Sequence, residues 1–231
     1  MGVAEITPGI SGATIAGLFN VYQGFISFLT SINPVKLKSG FKSFFREIDF
    51  NFMFPLLFGM AVSIYLSAFA IDFLINSYLF SFKIFLSIVM VIAVIKNCFL
   101  DQPFKDSVKF LLSFILGIVL ALVIAFSLIQ FDFNNIFLLM LAGLLAFTAF
   151  LLPGISGSLV MVILGVYDGI VFSIKELDFY SLLPFIVGMG LSFLIVPTQI
   201  LKQFEKNSIQ TKVLFSGLIF GSVPAVWLHL N

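Results

Sequence analysis

The pentapeptide Pro-Gly-Ile-Ser-Gly occurs twice in this chain, at Pro8–Gly12 and at Pro153–Gly157. Each copy is followed, at the same distance, by Val-Tyr, a polar residue and Gly, which form Val21–Gly24 and Val166–Gly169. Both copies interrupt strongly apolar sequence. Proline lacks a backbone N–H and glycine allows a sharp reversal, so this motif breaks a helix. The repeat therefore predicts two copies of a broken helical unit.

A longer correspondence surrounds the two motifs. In each half, Asp-Phe is followed at matched spacing by Pro and by Gly-Met: Asp49, Phe50, Pro55, Gly59 and Met60, then Asp178, Phe179, Pro184, Gly188 and Met189. We expect a single membrane domain over 1–231, with a first repeat at about 1–110 and a second at about 136–231. A transmembrane helix at 107–131 would connect them. Gly59, Gly188, Gly217 and Gly221 are expected to mark close helix packing.

The composition indicates an all-α polytopic membrane protein. The 231 residues are 61% hydrophobic and only 10% charged, with a mean hydropathy of +1.18. A soluble domain does not need so much apolar surface. The candidate membrane segments are roughly 9–32, 50–72, 78–95, 107–131, 136–152, 155–174, 182–201 and 211–230. The basic residues lie in short loops between these segments, so a nucleic-acid partner is not expected.

The distribution of basic residues predicts the orientation. Ten of the twelve Lys and Arg residues lie in the connections 33–49, 96–109 and 202–212, which the positive-inside rule places in the cytoplasm. An odd number of crossings then separates the two motifs. We therefore expect inverted-topology repeats with opposed re-entrant helical hairpins, an arrangement typical of secondary transporters. Lys83 lies within an apolar run and is expected to snorkel to the outer face, with a position facing a polar interior as the alternative.

The residues at the two breaks predict an anion site. A half-helix N-terminus with glycine-rich backbone and hydroxyl groups attracts an anion, and two of them meeting from opposite faces would suit a phosphate head group. Ser11 and Ser156 are expected to cap the helices that follow. The candidate substrate-binding residues are Pro8, Gly9, Ser11, Gly12 and Thr14, with Pro153, Gly154, Ser156, Gly157 and Ser158. A simple kink or a tight helix contact is the alternative explanation of each motif.

Few other side chains offer chemistry. Glu5 lies three residues before the first motif, and Asp168 lies in an apolar segment near its outer end; both are candidates for ion coupling because charges inside a membrane are costly. Tyr22 and Tyr167 are expected to be interfacial anchors, with a substrate contact as the alternative. With one cysteine and one histidine, neither a metal site nor a cofactor is expected.

The sequence Glu5–Ala16, together with Leu151–Ser158 and Gly165–Tyr167, resembles the polyprenyl-phosphate transporter family of bacterial membrane proteins. The resemblance covers nearly the whole chain. It implies opposed re-entrant helices and the return of a lipid carrier phosphate to the cytoplasmic leaflet for envelope synthesis. Ala13 stands where the family usually has Gly, and Glu5 where it usually has Asp. An apolar arm precedes the second motif but not the first, so we expect a further arm upstream.

These observations are compatible with three functions. The first is a translocase of the inner membrane that moves undecaprenyl phosphate or a similar polyprenyl phosphate and opens sideways to the bilayer. The second is an ion-coupled transporter of a small anion, which needs an enclosed aqueous path. The third is an intramembrane lipid phosphatase, which the sequence supports least because it offers no metal-ligand set and no Ser/His/Asp arrangement. The coupling ion, the net direction and the oligomeric state are left open.

Overall fold

The computed structural model describes residues 1–5, 7, 10–32, 50–127 and 129–229. Within these ranges the chain forms helices and contains no β-strand, which confirms the predicted all-helical class. The elements are α1 (Gly2–Glu5), α2 (Gly12–Leu18), α3 (Tyr22–Ser31), α4 (Phe50–Ile95), a π-helical segment (Lys96–Leu100), α5 (Phe104–Val108), α6 (Leu111–Phe126), α7 (Ile136–Leu151), α8 (Gly157–Ile163), α9 (Tyr167–Lys175), α10 (Phe179–Gly221) and α11 (Val223–His229).

Three stretches of the described residues are long and apolar enough to cross a membrane. They are Phe50–Ser67, Ala70–Leu100 and Phe179–Leu228. The pair α8 and α9, bent by 111°, forms a fourth candidate if it is counted as one broken span. The helices α6 and α7 are apolar but shorter, with 16 residues each. These helices are typical of a membrane protein.

The helix α10 folds back on itself at Asn207. A straight helix of its 43 residues would be about 65 Å long, roughly twice the thickness of the bilayer core. Asn207 has non-helical angles, with φ −157° and ψ 86°. The Thr211 hydroxyl donates to the Gln203 carbonyl at 3.2 Å, and the rings of Phe204 and Phe215 lie 5.7 Å apart. Residues 8 and 11 positions apart cannot touch on a straight helix, so α10 is two arms joined by a reversal.

The reversal in α10 falls between the predicted segments 182–201 and 211–230. A second non-helical residue, Tyr78, interrupts the 46 residues of α4 with φ −139° and ψ 36°. It lies at the boundary between the predicted segments 50–72 and 78–95. Both breaks therefore occur at or next to connections that the sequence predicts.

Glycines allow α10 to approach its neighbours closely. A side chain on Gly188 would overlap the backbone of Met140 in α7, and one on Gly217 would overlap the backbone of Phe114 in α6. The predicted packing role is thus confirmed for these two glycines, and also for Gly221, which lies against α6. For Gly59 the prediction finds no support in the described part of the chain, where no atom lies within 4 Å of the position that its side chain would take.

The described basic connections lie together at one end of the molecule, which we call the basic end. Asn97 and Asp101, from the connection 96–109, share the wall of one cavity with Lys212, from the connection 202–212. The third basic connection, 33–49, lies outside the described residues.

The opposite end is formed by two connections that are poor in basic residues. Asn134 in the connection 130–135 lines a surface cavity together with Ser181, in the first turn of α10, which follows the connection after α9. The 16 residues of α6, about 24 Å of helix, separate this end from the basic end. The grouping of connections is the one that the charge pattern predicts.

Candidate functional site

The two repeated motifs, far apart in sequence, pack against each other in the interior. Within the described residues, three hydrogen bonds join the segments that contain the motifs: the Gly154 N–H donates to Thr14 Oγ1 at 2.8 Å, the Tyr22 hydroxyl to the Leu151 carbonyl at 2.9 Å, and the Ser11 hydroxyl to the Leu152 carbonyl at 3.5 Å. Thr14 is fully buried and Ser11 is 2% exposed. We call this contact the motif junction. Pro8 and Gly9 of the first motif lie outside the described residues.

The chain follows the same path after each motif. A short helix, α2 or α8, ends in a residue with positive φ, which is Asn20 at 59° in the first copy and Gly165 at 70° in the second. In both copies the next N–H reaches back five residues: Val21 to Ala16 at 2.9 Å, and Val166 to Met161 at 3.1 Å. This is the Schellman ending of a helix, which turns the chain sharply into the following helix. The sequence repeat is therefore also a repeat of local structure.

The turns after α2 and α8 contact different parts of the protein. Asn20 accepts a hydrogen bond from Lys96 at 3.0 Å, at the basic end. Next to Gly165, the Leu164 carbonyl accepts a hydrogen bond from the Phe131 N–H at 2.9 Å, in the connection at the opposite end.

The tip of the second motif requires glycine at position 154. Gly154 has φ of +92°, a conformation that side chains disfavour. An added Cβ would also lie 2.6 Å from the backbone nitrogen of Ile219, in the second arm of α10. The tip is thus held between the first motif and α10.

The hydroxyl groups of the two motifs are arranged differently. Ser11 caps α2, because its Oγ accepts a hydrogen bond from the Ala13 N–H at 3.1 Å. The same prediction for Ser156 is wrong: it makes no capping bond, and its Oγ lies 2.7 Å from that of Ser158. Ser156, Gly157 and Ser158 are half-buried, so the second motif presents a pair of hydroxyls where the first is closed.

The two acidic candidates occupy different environments. Glu5 packs against Gly12 at the start of α2, and its Oε1 is buried without a hydrogen bond among the described residues. A carboxylate oxygen in this position is costly unless something compensates it. Asp168 is exposed in the first turn of α9, so it does not join the buried motif junction.

Tyr22 is part of the motif junction, and the prediction that it anchors the protein at the membrane interface is wrong. It is 4% exposed, and its ring lies 5.7 Å from that of Phe204 and 5.6 Å from that of Phe215. Its counterpart Tyr167 is 38% exposed. The repeated Val-Tyr signal marked both residues, but only tertiary packing distinguishes them.

Lys83 is also placed differently from the expectation. It is 9% exposed, donates to the Trp227 carbonyl at 3.3 Å, and lies 5.9 Å from the centre of the Trp227 ring. The carbonyl and the ring offer the ammonium group partners within the protein, so the side chain does not snorkel.

A cavity of about 330 Å³ lies beside the motif junction, at the basic end. It reaches Pro153 of the second motif and Tyr22, and its polar lining includes Asn20, Gln23, Asn97, Asp101 and Lys212. Sequence reasoning missed these polar residues as site candidates. Gln23 could have been found, because it is the polar residue of the repeated Val-Tyr-polar-Gly sequence. Nothing in the sequence distinguishes Lys212 from the other basic residues of its connection.

Comparison with known proteins identifies the family. Residues 1–231 match the family VCA0040-like, described as undecaprenyl phosphate translocase-like. The chain belongs to this family. It is also 29% identical over 237 residues to a polyprenyl-phosphate transporter of Vibrio cholerae serotype O1 (strain ATCC 39315 / El Tor Inaba N16961), covering 98% of this chain and 74% of the relative. No solved structure matches the chain. The predicted family is confirmed, and the prediction of a transporter rather than an enzyme agrees with it.

Proposed function

We propose that this protein translocates undecaprenyl phosphate, or a similar polyprenyl phosphate carrier, across the bacterial cytoplasmic membrane. The lipid would return to the cytoplasmic leaflet for reuse in envelope-polymer synthesis. The observation that carries the proposal is the motif junction, because it brings two matched helix breaks together inside a chain of this family. Broken helices that meet within a membrane protein are typical of transporter substrate sites.

The chemistry of the second motif suits a phosphate head group. Ser156 and Ser158 are half-buried and present two hydroxyls, and hydrogen bonds from such donors to a charged acceptor are stronger than those between neutral groups. The first motif, with Pro8, Gly9, Ser11, Gly12 and Thr14, would complete the site when the junction opens. The isoprenoid tail would stay in lipid, so no enclosed path for the whole molecule is needed.

Glu5 is the better candidate for coupling transport to an ion. Its Oε1 is buried beside Gly12 in the first motif and makes no hydrogen bond within the described residues, so binding of a proton or cation there would alter the motif directly. Asp168 is the second candidate, and its exposure makes a direct effect on the junction weaker.

Inverted repeats form part of this proposal. The turn after α2 contacts Lys96 at the basic end, whereas the turn after α8 contacts Phe131 at the opposite end. Two copies of one local structure that point towards opposite ends support an inverted relation. The positive-inside rule then assigns the basic end to the cytoplasm.

Cysteine labelling tests this orientation. In a Cys98→Ala background, we expect a membrane-impermeant maleimide to label Asn134→Cys in intact cells, and to label Lys206→Cys only after the membrane is opened. Both positions are exposed, so accessibility within the protein does not distinguish them. Labelling of both in intact cells, or the reverse pattern, would contradict the inverted arrangement.

Transport in reconstituted vesicles tests the function. We expect vesicles that contain the protein to redistribute undecaprenyl phosphate between leaflets faster than protein-free vesicles. Release of inorganic phosphate from the lipid would instead indicate a phosphatase. Uptake of inorganic phosphate without lipid redistribution would indicate a small-anion transporter, and either result would refute the proposal.

A further inference from the structure

We propose that the cavity at the basic end is a docking site for a phosphate monoester group, and that Lys212 is the cation that selects it. Where the ligand is a lipid, the inference rests on the proposed function and deepens it, since the cavity would receive the head group beside the second motif. The recognition chemistry is the same for a lipid phosphate and for free phosphate.

Among the described residues, the charges in the cavity wall and directly beside it leave one positive charge in excess. Asp101 is paired with Lys96, whose ammonium lies 3.0 and 2.9 Å from its two carboxylate oxygens. Lys212 is half-buried, and in the part of the chain that the structure describes its ammonium forms neither an ion pair nor a hydrogen bond. One positive charge in the cavity is therefore uncompensated, and a partly buried charge gains more from a counter-ion than an exposed one.

A buried amide provides a second, independent indication of a ligand. Asn97 is 7% exposed and lines the cavity. Its side chain makes no hydrogen bond within the described ranges, yet its polar atoms are not fully enclosed by protein. Buried polar side chains normally have partners, so an amide left open towards a cavity is suited to a polar ligand.

Neighbouring side chains add to the same recognition. The side-chain oxygen of Asn20 is already used, since it accepts from Lys96 at 3.0 Å, which leaves its NH₂ group as a donor. Gln23 provides another amide at the wall. Amide N–H groups together with an ammonium match the acceptor oxygens of a phosphate.

The position and size of the cavity also fit a head group. Its volume of about 330 Å³ is within the range of ligand pockets. Pro153 forms part of its wall, so a ligand bound there would touch the second motif. Tyr22, Phe204 and Phe215 form an aromatic side of the same wall, against which the first carbons of an isoprenoid chain could pack.

Calorimetric titration of the purified full chain in detergent tests the inference. The probes are farnesyl phosphate, farnesol and inorganic phosphate. We expect farnesyl phosphate to bind and farnesol to bind at least about 10-fold more weakly. Lys212→Gln should weaken binding of farnesyl phosphate by about 10-fold or more, because one charge-assisted hydrogen bond is lost. Lys202→Gln, a neutralisation at an exposed position near Lys212, should change binding by less than about 2-fold.

A second pair of variants covers the case in which Lys212→Gln does not fold. Asn97→Asp places a negative charge in the cavity and should also weaken farnesyl phosphate binding, whereas Lys212→Arg should retain most of it. Competition by inorganic phosphate would support recognition of the phosphate group alone, and failure to compete would support recognition of the lipid phosphate. Unchanged binding in folded Lys212→Gln, or equal binding of farnesol and farnesyl phosphate, overturns the inference.

The inference and the proposed function can fail separately. A wild-type protein that binds farnesyl phosphate through Lys212 but does not redistribute undecaprenyl phosphate supports the docking site and refutes the translocase. If the wild-type protein redistributes the lipid and Lys212→Gln binds farnesyl phosphate normally, the translocase is supported and the docking site is refuted.

Discussion

Replacing Gly154 by alanine is expected to abolish lipid redistribution and to destabilise the protein. The residue has φ of +92°, and a non-glycine residue in such a region costs about 1–3 kcal/mol. The added methyl group would lie 2.6 Å from the Ile219 nitrogen, and forcing α10 away from it adds an overpacking cost of about 1–3 kcal/mol. Because the Gly154 N–H also bonds Thr14, any shift would open the motif junction. Redistribution assays and thermal unfolding in detergent measure the two effects.

Gly165→Asn is the matched control for Gly154→Ala. Gly165 also has positive φ, at 70°, but the nearest atom to its added Cβ lies 3.6 Å away. The first repeat has Asn20 in the corresponding conformation, and asparagine tolerates it better than most residues. We expect nearly normal stability and transport. Equal damage from both substitutions would show that positive φ alone matters and that the contact with Ile219 does not.

Local signals in the sequence were sufficient to predict the all-helical class and the positions of the helix breaks. The breaks at Tyr78 and Asn207 lie where apolar runs end, and the paired motifs mark the two helix breaks. Helix breaking and apolar length are properties of a few consecutive residues, so they can be read without knowing the tertiary structure.

The contents of the candidate site could not be predicted in the same way. The hydrogen bond between Thr14 and Gly154 joins residues 140 positions apart. No pattern of neighbouring residues predicts such a contact. Lys212 lies in a basic connection, and the positive-inside rule already explains the basic residues there, so its role in a cavity could not be predicted. Ser156 does not cap α8, and its hydroxyl lies instead against that of Ser158, which depends on side-chain conformations rather than on residue types.

The closed junction has a consequence for transport. The described part of the first motif is buried against the second, so the proposed binding of a head group by both motifs requires the hydrogen bonds between the two segments to break. A junction that is too weak would leave buried donors unpaired, and one that is too strong would prevent opening. Transport should therefore respond to changes in the junction more sharply than stability does.

Thr14→Val tests that dependence. Valine keeps the shape of threonine but removes the acceptor, which leaves the buried Gly154 N–H without the partner that it has at 2.8 Å. An unsatisfied buried donor costs about 1–3 kcal/mol, so we expect a lower unfolding midpoint and a loss of lipid redistribution of at least about 10-fold.

Two further substitutions separate the junction from general packing. Thr14→Ser retains the hydroxyl and should keep most of the activity. Thr30→Val removes a hydroxyl from a buried threonine that donates only to Ile26, four residues earlier in its own helix, at 2.9 Å; that carbonyl keeps its helical partner, so little change is expected. If Thr14→Val and Thr30→Val transport equally well, the bond between the motifs has no part in moving the lipid, and the junction serves only to hold the two repeats together.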